Sequence, residues 1–60
     1  MYEMNDEERK SLGNKIKQLR KQKGLSQQQL ADMIGYKVGT ISKYEQGYRT
    51  PHFSIFFQLA

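Results

Sequence analysis

Gly24, Gly35 and Gly47 constrain this sequence more than any other feature. Each follows a run whose apolar residues recur at helical spacing, and glycine is the residue that most readily takes the left-handed conformation ending an α-helix. The middle of the chain is thereby limited to short helices, stable only when packed on one another. In "LSQQQLADMIG" the boundary chemistry is complete: Ser26 and Gln29 form a capping box, and Leu25 and Leu30 a hydrophobic staple. The spacing predicts a helix over 27–34 with Leu30, Ala31 and Ile34 buried. Before Gly24, Leu12, Ile16 and Leu19 predict a helix near 12–23, capped by Ser11 or, with a helical extension, by Asn5 ahead of Asp6, Glu7 and Glu8. Gly13 inside the longer version costs about 1 kcal/mol relative to alanine.

Ile41 and Tyr44 define a third helix near 38–46, closed by Gly47. Its N-cap falls on Lys37, a poor cap, and Tyr36 can staple onto Ile41. Thr50 and Pro51 suit the start of a fourth helix over 51–60, in which Phe53, Phe56, Phe57 and Ala60 recur at i, i+3, i+4, i+7; the phenylalanines are expected in the core, except that at least one is left for a dimer contact or for a further helix to cover. That pattern has no C-terminal stop signal, so the last helix is expected to be continued by absent residues or completed by a partner.

The chain carries a formal net charge of +4, but Glu3, Asp6, Glu7 and Glu8 place most of its acid at the start. From Arg9 onward ten basic residues stand against Asp32 and Glu45. So basic a body points to a polyanionic partner, nucleic acid first and an anionic membrane second. The membrane reading is weak, because Leu12, Ile16 and Leu19 are needed for the core and no aromatic anchor joins them. Without cysteine, and with His52 alone as an imidazole, neither a disulfide framework nor a metal site is expected. No nucleophile with a paired base and no phosphate loop can be assembled, so neither an enzyme nor a cofactor is expected. A cytoplasmic location fits this composition.

Two short helices joined by a few residues around a glycine are the sequence image of a helix-turn-helix, whose second helix enters the major groove of DNA. With Ile41 and Tyr44 inward, Gly39, Ser42 and Lys43 turn outward and Val38 lies near the N-terminal tip. "IKQLRKQKGLSQQQLADMIGYKVGTISKYEQGYRTP", residues 16–51, resembles the DNA-binding domain of the Xre/Cro-CI family of phage and bacterial repressors, through "RKQKGLSQQQLA", "ISKYEQG" and the closing "RTP". The resemblance implies an all-α, compact, lambda-repressor-like fold, usually of five helices, of which four are present and the fifth is missing at the C-terminus. Residues 1–10 are then an acidic tail or helix extension, and 11–60 the DNA-binding domain.

The resemblance also implies roles. Val38, Gly39, Ser42 and Lys43 match base-facing positions, and Gln27, Thr40, Gln46, Tyr48 and Arg49 match positions where phosphate contacts are common. Lys37 stands where the family often has a serine or threonine cap, an exchange that suits a phosphate contact. Arg20 and Glu45 match positions that form an ion pair. The acidic start is repelled by phosphates and is expected to point away from DNA. The implied function is a sequence-specific regulator, a repressor, on double-stranded operator DNA, with a homodimer formed through the C-terminal helix or an absent downstream segment. The competing expectation is a protein-interaction module, of antitoxin or anti-repressor type, using the helix-four phenylalanines.

Overall fold

The computed structural model describes residues 3–59, and within them every regular element is helical. The order is α1 (Asp6–Gln22), α2 (Gln27–Ile34), α3 (Val38–Gln46) and α4 (Ser54–Leu59). Helix α3 packs on both α1 and α2, and α4 closes over α1. Ile16, Leu30, Ala31, Ile41, Tyr44, Ile55 and Leu59 form the core, so all four helices contribute to it. Each fully buried Ile or Leu side chain among them stabilises the fold by roughly 1.5–3 kcal/mol.

All three glycine stops work in the same way. Gly24, Gly35 and Gly47 have φ of 71°, 76° and 82°, and the residue after each donates its N–H back to a carbonyl of the last turn. These bonds are Leu25 to Arg20 at 3.0 Å, Tyr36 to Ala31 at 2.8 Å and Tyr48 to Lys43 at 2.9 Å. Helix α2 starts on the predicted capping box: the Gln29 N–H donates to Ser26 Oγ at 3.0 Å, and the Ser26 N–H to Gln29 Oε1 at 2.8 Å.

The first helix is longer than the predicted 12–23. It begins on a second capping box, with the Glu8 N–H donating to Asn5 Oδ1 at 2.8 Å and the Asn5 N–H to Glu8 Oε1 at 3.1 Å. Such a cap contributes about 1 kcal/mol, and Asp6, Glu7 and Glu8 complement the positive end of the helix. Arg9 ties this turn to the far end of α3. Its Nη1 donates to the Met4 carbonyl at 2.6 Å, its Nε to the Gly47 carbonyl at 3.3 Å, and its Nη2 to Asp6 Oδ1. The extension is thus joined to the body of the fold.

The fourth helix is shorter than the predicted 51–60. Pro51 is buried and precedes the helix instead of opening it, and the Ser54 N–H at the helix start donates to His52 Nδ1 at 3.3 Å. Starting at Ser54, the helix turns Ile55 and Leu59 inward, while Phe53 and Phe57 are left 78% and 76% exposed and Phe56 is half-buried. The expectation that the phenylalanines lie mostly in the core is therefore corrected, because Ile55 and Leu59 take the inward face of the helix. Ala60, the last member of that series, lies outside the described residues. Leu12 and Ile34 are half-buried at the margin.

Candidate nucleic-acid interface

Helix α3 is fixed through its inner face and its last turn. Ile41 is fully buried, and Tyr44 packs edge-on against Tyr36 with ring centroids 6.2 Å apart. Burial raises the Tyr44 hydroxyl above the usual tyrosine range, and the neighbouring Tyr36 adds to the shift.

One residue further on, the Glu45 carboxylate is a junction for three helices. Arg20 of α1 donates Nε to Glu45 Oε2 at 2.7 Å and Nη2 to Oε1 at 3.1 Å, while Gln27 of α2 donates Nε2 to the same Oε1 at 3.1 Å. The third arm of Arg20, Nη1, donates to the Leu25 carbonyl at 2.7 Å, just ahead of α2. The Arg20 and Glu45 side chains are only 10% and 4% exposed. Their hydrogen bond raises the Arg20 pKa above its ordinary value, outweighing the burial that alone would lower it. Among the described residues no buried side-chain nitrogen or oxygen lacks a hydrogen-bond partner. That complete satisfaction is what allows charge to be buried here.

Held in this way, α3 presents a polar outer surface. Gly39, Lys43 and Gln46 are exposed, Val38 is 39% exposed, and Thr40 and Ser42 are half-buried. Tyr48 and Arg49 are exposed in the turn that follows. At the front of the helix Lys37 is exposed and its side chain makes no capping hydrogen bond. A Cβ placed on Gly39 would meet nothing within 4 Å, so the packing of this chain gives no reason for glycine there. Gln27 is drawn back, half-buried, onto Glu45.

The bonds that sequence reasoning missed join residues whose meeting depends on the fold, as with Arg9 and Gly47 or Gln27 and Glu45. Two were accessible as helical neighbours four residues apart: Gln46 Nε2 donates to Ser42 Oγ at 2.7 Å, and Gln28 Nε2 to Asp32 Oδ1 at 2.9 Å. Among the described residues no group of three or more His, Cys, Asp or Glu side chains could hold a metal ion, and no helix is long and apolar enough to cross a membrane.

A helix-turn-helix family model matches residues 16–60. The repressor protein C of Escherichia phage P2 is 49% identical over 41 residues, covering 68% of this chain and 41% of that protein. The chain thus spans less than half the length of that relative. No solved structure matches the chain.

Proposed function

The chain belongs to the helix-turn-helix family, of the Xre/Cro-CI type, and from that premise we propose that it is a transcriptional repressor binding double-stranded operator DNA inside a bacterial cell. Helix α3 lies in the major groove, ~12 Å wide and matched to an α-helix. Val38, Gly39, Ser42 and Lys43 face the bases. Lys37, Thr40, Tyr48 and Arg49 face phosphates, together with the free edge of the Gln27 amide.

The observation that carries this reading is the division of labour on α3. Ile41, Tyr44 and Glu45 fasten the helix to α1 and α2, while Gly39 and Lys43 stand exposed on a helix whose first turn no side chain caps. Lys43 suits the O6 and N7 acceptors of guanine, and Val38 a thymine methyl. Gly39, with open space in the free protein, permits close approach of the helix backbone to DNA.

Lys43→Ala is expected to lose about 1–3 kcal/mol on the best site and to relax preference at one base position, measured by titrating a panel of single-base variants. Gly39→Ala separates folding from binding. In the free protein it is expected to stabilise by up to about 1 kcal/mol, as in any open helical position, while weakening operator binding through the added methyl. Thermal melts and binding isotherms on one preparation check both signs; weaker folding or unchanged binding refutes the assignment.

Two copies on paired half-sites are the proposed assembly, ~34 Å apart along the duplex. Selection from a random duplex library at near-physiological salt tests the whole reading. A motif enriched as an inverted repeat about 10 base pairs centre to centre supports paired binding, and an enriched single half-site supports reading by one copy. No enrichment refutes the reading.

A second reading has an observation of its own. Phe53 and Phe57 lie with ring centroids 6.4 Å apart on the surface, beside a groove lined by Met4, Leu12, Lys15, Pro51 and Phe56. Exposed aromatic surface of this kind marks protein contacts, and a protein-interaction module would use it without requiring Lys43.

A further inference from the structure

Gln46 stands at a position that the family resemblance assigns to phosphate contact, yet its amide is already engaged on its own helix. Its Nε2 donates to Ser42 Oγ at 2.7 Å, a short and strong geometry for such a bond. A serine hydroxyl has one proton and two acceptor lone pairs. Accepting from Gln46 occupies a lone pair and turns the proton away from the amide. What Ser42 then has to offer a partner is its proton and one remaining lone pair.

That polarity has meaning in a major groove. Guanine presents only the O6 and N7 acceptors and thymine the O4 acceptor, adenine sets its N7 acceptor beside an N6 amino donor, and cytosine presents only the N4 amino donor. A serine hydroxyl alone can serve either kind of edge, because it rotates to suit. One held by an amide donor on the same helix keeps its proton free for an acceptor edge and has a single lone pair left for a donor edge. Resting on the DNA-reading role of α3 given above, we propose that Gln46 is a positioning residue for specificity, which keeps the Ser42 proton free for a base and so biases its base position toward acceptor edges over cytosine.

Gln46→Glu reverses the polarity at nearly constant shape. A carboxylate ionised at neutral pH can only accept, so the Ser42 proton turns inward to it and lone pairs alone face outward. The added negative charge also weakens binding to every duplex by repelling phosphates. A ratio of affinities for two duplexes differing only at the Ser42 base pair cancels that uniform loss.

The test uses the motif selected by the unaltered chain and titrates each protein against duplexes carrying an acceptor base or cytosine at each position in turn. Circular dichroism confirms that every variant is folded. At one position Gln46→Glu is expected to shift the ratio toward cytosine by about tenfold, the size of one hydrogen bond gained and lost. In a Ser42→Ala background the same substitution is expected to leave every ratio unchanged. Ratios unmoved by Gln46→Glu alone overturn the proposal, as does an equal shift without the Ser42 hydroxyl, which would mean that Gln46 acts on the base itself. If the unaltered chain selects no motif, the DNA-reading role falls and this proposal with it. A motif selected with no change in ratio overturns the proposal alone.

Discussion

Gly13→Ala is expected to destabilise the protein by about 3 kcal/mol or more, although helix propensity by itself gives the opposite sign. An alanine in an open helical position gains about 1 kcal/mol over glycine. Gly13, however, is buried where α1 crosses the last turn of α3. A Cβ there would overlap the Tyr44 carbonyl oxygen and come within 2.9 Å of that of Glu45. These are backbone atoms, and they cannot swing aside as the end of a long side chain can. Either the two helices separate, opening the core around Ile16 and Ile41, or α3 bends. Overpacking of well-ordered sites typically costs 1–3 kcal/mol, occasionally more. A chain of this length has a total stability of roughly 3–9 kcal/mol. The loss is therefore a large fraction of the whole, and urea unfolding should show a lower midpoint at an unchanged slope. A raised midpoint would mean that the helices do not approach so closely. Gly39→Ala is the internal control, since the same substitution meets open space.

Breaking the Arg20–Glu45 junction is expected to cost a comparable 3–5 kcal/mol, because removing one partner leaves the other charge buried and unpaired. Glu45→Ala strands the Arg20 guanidinium and also removes the acceptor of the Gln27 amide. Exchanging the two charges is expected to recover part of the loss. A carboxylate at position 20 would meet the lone pairs of the Leu25 carbonyl, which now accepts from Arg20 Nη1 at 2.7 Å, so the recovery stops short of full. Chemical denaturation of the two single charge reversals and the double reversal measures this coupling. Additive losses would show that the pair does not act as a unit. The sign of the pH dependence follows from the raised Arg20 pKa. The contribution is fully present below the ordinary arginine range and is lost only as pH rises through the folded value, so titration of Arg20 leaves stability at neutral pH unaffected.

Where local chemistry decided the outcome, the sequence was legible. The limits of α2 and α3 were predicted as the structure has them, because a capping box, a staple and positive-φ glycines act within a few residues. Where two local signals competed, the fold chose between them. At the first helix Gly13 argued for a later start, and its close approach to α3 is the tertiary gain that outweighs its poor propensity. At the last helix Phe53, Phe56 and Phe57 made the larger apolar stripe, but Ile55 and Leu59 form another at i, i+4. Once Pro51 is buried ahead of the helix, the phase belongs to that pair. The acid–base pairing of Arg20 with Glu45 was foreseen by resemblance alone, and the arrival of Gln27 at the same carboxylate required three helices in place.

The Glu45 junction also bears on how such a domain can change over generations. Its partners come from α1 and α2, and none of them is a residue assigned to the bases. Under the proposed reading, substitutions at 38, 39, 42 and 43 leave that junction untouched, so a lineage can drift from one operator to another without renegotiating what holds α3 in place. In engineering terms, binding preference is a detachable cassette carried by one rigid mount.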